Sequence, residues 1–424
     1  MEAFYVPWLH MHQPLIWLDN KLVSNLEKML LSKDSKEAWD AKLMARAYKN
    51  PAAYVKKLRE EGYQAKIMLD YSGVLLESLA DLAKRKVLDV EVEGEKVGDI
   101  IKLFKEVLEK YPDSIEFAAT AYSHCYFPAT PEEDWKLQIE EWKQVFKKLF
   151  GKRALERVKG FWLPELGVPG FEDKLEKLVK VLNEEEIEWL FLPLQAVKNY
   201  EKLSYEERIR IACMPHLLKV KDHSIPVIFR TPSYFIDQQA GCPVEQVCKK
   251  IREAIQTFSK FNKPALIVPA SDGENGNVMM NEFFPLTFEP LFKNYVGKEF
   301  GSLTISEFLH EFYEKKGEIK PESEIKLKTL GASWIDGHEL WLKGSRRLEM
   351  IKKVHDLSKR FHELERKILE KVGEIKELKD ARRLLLISET SCYVYWNIEF
   401  WFKQGEKTIE LANKKIFELE KKYL

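Results

Sequence analysis

At 424 residues the chain can bury a large core, enough for one barrel-sized domain and a smaller one. Its 68 basic and 68 acidic side chains cancel, so no bulk field favours nucleic acid or an anionic membrane, and a neutral substrate fits best. Five scattered cysteines without CxxC spacing argue against a disulfide framework or a zinc knuckle, and no run reaches the roughly 20 apolar residues of a membrane span.

The first stretch, Phe4 to Met11, is almost continuously apolar, as expected of a strand covered on both faces, and runs into His10-Met11-His12-Gln13-Pro14. It has neither the basic lead nor the cleavage site of a secretory leader, so a cytoplasmic location is expected. Residues two apart in a strand point the same way, which puts His10 and His12 on one face. Two imidazoles aimed at one spot serve either a metal or a hydrogen-bonded sugar, and a core histidine beside a loop cap fits these residues equally well. Residues 15–63 are charged and helical in composition and read as an excursion. A second strand, Ala65 to Leu69, closes in Asp70-Tyr71-Ser72, and helices are expected over 74–86 and 97–110. The third strand, Ile115 to Tyr122, runs into Ser123-His124.

Pro131-Glu132-Glu133-Asp134 signals a helix start, and Ile139, Trp142, Phe146 and Leu149 continue it at spacings of three and four. The fourth strand ends in Phe161-Trp162-Leu163-Pro164-Glu165. Pro164 lacks an amide hydrogen and cannot continue a central strand, so Glu165 stands just past a strand end. A helix follows around Leu178, then strands at Trp189–Leu192 and Ile225–Arg230. The seventh, Ala265 to Ala270, ends in Asp272-Gly273-Glu274. Alternating strands and helices predict a parallel sheet closed as a barrel or nearly so. Right-handed crossovers then bring His10, His12, His124, Glu165, Arg230, Asp272 and Glu274 to one face.

Five short runs, in this order, resemble the signatures of glycoside hydrolase family 57. They are His10 to Pro14, Ser114-Ile115-Glu116 with His124, Trp162 to Glu165, Asp272 to Glu274, and Gly331-Ala332-Ser333-Trp334-Ile335-Asp336-Gly337 with Trp341. The resemblance implies an α/β fold, a distorted (β/α)7 barrel over residues 1–310 with the helical excursion inside it, followed by a C-terminal helical domain over 311–424 that completes the cleft. It implies a retaining enzyme acting on α-glucans without cofactor or metal, hydrolase or glucanotransferase, with Glu165 as nucleophile and Asp272 as general acid/base. His10, His12, Gln13, His124, Trp162, Arg230, Glu274, Trp334, Trp341 and Trp396 are the expected substrate-binding residues, and an α-linked oligo- or polysaccharide is the expected partner.

Three departures bear on specificity. Ser114 stands where the family usually has Gly, Leu342 to Arg347 replace an acid-rich, Asn-containing stretch, and Cys392, in Ser391-Cys392-Tyr393-Val394-Tyr395-Trp396, stands where Asp is usual. Two other readings share the scaffold: a metal-dependent carbohydrate hydrolase of the deacetylase or α-mannosidase kind, and a non-catalytic glucan-binding protein. Residues 318–328 read as a charged connection, and apolar spacings from Ile351 to Leu419 predict helices packed on one another and on the barrel. Heavy use of Lys and Glu with Pro-rich loops points to a thermophilic source.

Overall fold

The computed structural model describes residues 2–238, 242–259, 261, 263–274 and 282–423. Its central strands are β1 (Ala3–Tyr5), β2 (Trp8–Met11), β3 (Ile67–Tyr71), β4 (Ile115–Phe117), β5 (Gly160–Trp162), β6 (Trp189–Leu192), β7 (His216–Val220), β8 (His223–Phe229), β9 (Ala265–Ile267) and β10 (Ala270–Asp272). Pairing is parallel from β10 through β2 and β3 to β4, and from β5 through β6 to β8. Bridges Ala119 to Phe161 and Thr231 to Pro269 join the two sheets, and β1 pairs with β9, so seven parallel segments make a ring. The first and last are each broken at a proline, Pro7 and Pro269, whose nitrogen has no hydrogen to give. β7 was not expected. It lies antiparallel to β8 on the outer side of the sheet.

The two-residue period of these strands decides what fills the ring. Trp8, Met68, Ala118, Trp162, Phe191, Ile228, Leu266 and Ala270 point inward and pack with Ile305, Phe308 and Leu309 of the helix Ile305–Tyr313, which closes one end. The opposite parity, including Leu9, Leu69, Phe117, Phe161, Leu190, Val227 and Ile267, packs against the surrounding helices. Gly160 is required by this packing, because a Cβ there would lie 2.1 Å from the Trp189 indole.

Outside the ring, α1 (Ser35–Glu60), α2 (Gly73–Lys84), α3 (Ile100–Lys110) and α4 (Trp135–Phe150) cover one side. Ser72 caps α2 by accepting from the Leu75 amide. α4 begins at Trp135, later than Pro131 suggests, and the Asp134 carboxylate is engaged with His362 instead of capping it. The excursion holds a hairpin, Leu15–Leu18 with Lys21–Ser24, ahead of its helices.

Three long helices, α5 (Ser345–Val372), α6 (Lys376–Ser388) and α7 (Glu399–Tyr423), bury Leu357, Phe361, Leu364, Leu378, Leu385 and Ile416 in a second core together with Trp341 and Tyr126. They meet the ring at its C-terminal mouth: Thr390 bridges Cys125, the Ser391 amide donates to the His124 carbonyl at 3.0 Å, and Trp17 Nε1 donates to Thr408 at 2.8 Å. Residues 324–325 pair with β7 and Ala332 bridges Val168, so we propose that the barrel unit runs past residue 310 to about 333. No helix among the described residues is long and apolar enough to cross a membrane.

Candidate active site

The parity that puts Trp8, Met68 and Ala270 inside the ring continues to the strand ends, where the same face carries His10, Asp70 and Asp272. Asp272 sits opposite His10, and His10 opposite Asp70, in adjacent strands. From β4 and β5 the chain turns sharply. His124 has φ 61° and Glu165 φ 59°, left-handed conformations that side chains with a Cβ seldom adopt and that point both groups into the mouth.

A continuous hydrogen-bonded row crosses the mouth. Asp70 Oδ2 lies 2.5 Å from His10 Nδ1, His10 Nε2 lies 2.9 Å from His124 Nε2, and His124 Nδ1 lies 2.9 Å from Ser391 Oγ, which donates to Glu165 Oε1 at 3.1 Å. Burial pulls the His10 pKa down, but Asp70, Asp272 and Glu274 together carry it up to about 9, so at neutral pH it is an imidazolium donating from both nitrogens. Burial raises Asp70 against the donors His10 and Trp8 Nε1, the latter at 2.7 Å. Burial and the neighbouring imidazoles keep His12 and His124 far below the usual histidine range, hence neutral. Charge on His10 therefore orients the row: His124 accepts at Nε2 and donates from Nδ1, which leaves the Ser391 hydroxyl hydrogen for Glu165.

Glu165 Oε2 accepts from Trp334 Nε1 at 3.1 Å. Burial, then the charge of Asp272, pushes its pKa up to about 7, against the pull of His10 and the two donors. Glu274 accepts from the His12 amide at 3.0 Å through Oε1, and burial with Asp272 raises it to about 8. Arg230 donates from Nε to the Ala270 carbonyl at 2.7 Å and lies 5.6 Å from the Trp334 ring centroid. The mouth thus gathers three carboxyl groups, of which Glu165 and Glu274 are raised by burial and by the charge of Asp272.

Some expected substrate-binding residues face protein instead. Trp162 is fully buried and stacks on His10 at 5.1 Å, Trp341 is fully buried and stacks on Tyr126 at 4.3 Å, and Gln13 is held by Asn25 and Met44. The Trp162 ring thus backs His10, and the Trp341 ring backs Tyr126 in the helical core. His10 is positioned in the same way, with both nitrogens engaged. Trp396 is exposed beside Tyr395. Asp70 and Ser72 were missed as site residues, although they stand at a strand end like the others, and Ser391 was noted only for its neighbours. An apolar cavity of about 490 Å³ around Glu116 and Ser306 is lined from the opposite ends of the strands and takes no part in this constellation.

The sequence of residues 6–328 matches the family model for glycosyl hydrolase family 57. The chain belongs to this family. Its fold is that of a family 57-type branching enzyme from Pyrococcus horikoshii (TM-score 0.64, 17% identity, 99% of this chain and 88% of that one) and of an exo-type maltose-forming amylase from Pyrococcus sp. ST04 (0.67, 13%, 100% and 81%). A 4-α-glucanotransferase from Thermococcus litoralis is also similar (0.61, 17%, 97% and 60%). No curated protein sequence matches. Within the family 57 fold, the row from Asp70 to Glu165 and the facing Asp272 form the candidate active site.

Proposed function

We propose that this protein is a retaining enzyme of α-glucans, a hydrolase or glucanotransferase in which Glu165 is the nucleophile and Asp272 the general acid/base. The observation that carries this reading is the state of Glu165: a buried carboxyl, aimed into the mouth by a strained turn, electrostatically coupled to Asp272 and held by donors on both oxygens. A retaining mechanism needs two carboxyl groups on either side of the anomeric carbon, roughly 5 Å apart, one ionised and one able to give a proton. The Trp334 and Ser391 donors favour the anion of Glu165 and keep its oxygens aligned for attack. In the reacting complex the proton has to sit on Asp272, the reverse of the free site where the charge of Asp272 raises Glu165; Asp272 then protonates the departing sugar oxygen and, in the second step, deprotonates the incoming water or sugar hydroxyl. Exposed Trp396 and half-buried Trp334 offer ring faces for sugars, and His12 and Glu274 offer hydrogen-bonding groups for hydroxyls. Neighbours named for branching, glucanotransferase and amylase activity favour an α-linked glucan as substrate. Neither nucleic acid nor a metal enters this scheme, and a cytoplasmic setting fits it.

The test is a product profile. Purified protein incubated with maltoheptaose is analysed by chromatography beside Glu165→Gln, and the anomer of the first product is read by NMR. Shorter sugars alone indicate hydrolysis, and shorter with longer sugars indicate transfer. Retained α-configuration, absent activity in Glu165→Gln, and unchanged folding of that variant are expected. Inverted configuration, or full activity in Glu165→Gln, overturns the mechanism, and an unchanged substrate pool overturns the maltooligosaccharide assignment.

A further inference from the structure

Beside the row that ends at Glu165 lie the His12 nitrogen offered above to a sugar hydroxyl, which a bound cation would compete for, and the Cys392 thiol, which has no role in the proposed sugar chemistry. We propose that His12, His124 and Cys392 form a binding site for a thiophilic divalent cation of the zinc class. One donor atom from each lies within 4.8 Å of the others. Zinc with nitrogen bonds of about 2.0 Å and a sulfur bond of about 2.3 Å needs donors about 3.3–3.6 Å apart, so the widest separation closes by about 1.2–1.5 Å, through side-chain rotation, to complete the site.

A second and independent observation points to a ligand. His12 is 6% exposed, and its Nε2 is buried with no hydrogen-bond partner among the described residues. A buried nitrogen left bare of any partner is destabilising. Its other nitrogen, Nδ1, is held by Ser72 Oγ at 2.7 Å, an arrangement that orients an imidazole for metal binding, and His124 Nδ1 is held similarly by Ser391. On coordination His124 exchanges the hydrogen bond that its Nε2 accepts from His10 for the metal and keeps its Nδ1–H on Ser391. Cys392 exchanges its S–H bond for an S–metal bond and releases one proton to solvent, with no change of oxidation state. Carboxyl groups of Glu165, Asp272 and Glu274 crowd the same mouth and favour a dication there. Two imidazoles and a thiolate select zinc, cobalt or cadmium over magnesium or calcium.

The test uses the full chain, stripped of metal by a chelator and titrated with Co²⁺. Expected are a near-ultraviolet thiolate-to-cobalt charge-transfer band saturating at one equivalent, its bleaching by Zn²⁺, and no response to Mg²⁺. Cys392→Ser is expected to abolish the band while the remaining cysteines stay in place, and His12→Gln, which keeps the thiol, to weaken Co²⁺ binding about tenfold or more. Circular dichroism and melting temperature establish that each variant is folded. Absence of the band at one equivalent in the parent protein overturns the site, and so does a band that persists in either folded variant at unchanged affinity.

Discussion

Ser391 donates its hydroxyl to Glu165 at 3.1 Å across 226 residues of sequence, so the helical C-terminal region supplies a hydrogen bond to the carboxylate of the barrel's fourth strand end. The helices thereby complete the surroundings of Glu165 as well as covering the mouth. The same hydroxyl accepts from His124, so its direction is set by the charged His10 behind it.

If Glu165 attacks as the anion, kcat/KM rises with pH through about 7, the value to which burial and Asp272 push the free carboxyl. Ser391→Ala removes a donor to that anion. It should move the acidic limb upward and lower kcat/KM about tenfold, in line with about 1.5 kcal/mol for one charge-assisted hydrogen bond. A pH–rate series on both proteins checks this, and an unmoved limb in Ser391→Ala refutes the assignment of the limb to Glu165.

Asp70→Asn leaves shape intact but removes the charge that keeps His10 protonated. His10 should fall well below its value of about 9, losing the donor that orients His124. The expected results are a kcat reduced roughly tenfold to hundredfold with KM little changed, and disappearance of the His10 imidazolium from NMR titrations near neutral pH. An imidazolium that survives to pH 8 in Asp70→Asn contradicts the orientation of the row.

Glu165 is expected to cost stability. Its folded pKa, about 7, lies above the ordinary carboxyl value of 4.5, so below about pH 4 both states are protonated and no penalty arises. Between about pH 4.5 and 7 the unfolded chain loses its proton first, and stability falls as pH rises. Glu165→Gln should therefore match the parent near pH 4 and exceed it at pH 8, by about 1–3 kcal/mol. Urea unfolding at the two pH values measures the difference, and equal gains at both would refute the burial argument.

The opposite sign applies at a second contact between barrel and helices. His362 Nε2 meets Asp134 Oδ1 at 2.6 Å and Nδ1 meets Glu365 at 3.2 Å; despite burial these partners raise His362 to about 9. The stability this pair contributes is fully present below the unfolded value of about 6.5 and lost as pH rises through 9. His362→Gln should lower the melting temperature at pH 6 and show no further deficit at pH 10. A constant deficit across that range would mean that packing, not charge, is what His362 supplies.

Much of this architecture was legible from local pattern. Strand and helix alternation gave the ring's order because buried parallel strands are apolar on both faces and their helices carry a 3.6-residue stripe. Polar residues at the ends of such runs, His10, His124, Glu165 and Asp272, stood out because the ring's interior is otherwise filled by Trp8, Met68, Trp162 and Ala270. The break at Pro269, the antiparallel β7 and the bare turn ahead of α4 did not stand out, since each depends on a partner distant in the chain.

Sequence by itself determined the elements, the face each strand end presents, and the residue types that meet at the mouth, because two- and 3.6-residue periods are properties of the backbone. Only the tertiary structure decided which of those residues are open and which are held. Trp162, Trp341, Gln13 and His10 read as sugar contacts until their neighbours are known. Ser391 gains its hydrogen bonds, and Cys392 its imidazole neighbours, solely by being brought to Glu165, His124 and His12. Burial, hydrogen-bond direction and pKa depend on what surrounds a group in space, and no local pattern encodes that.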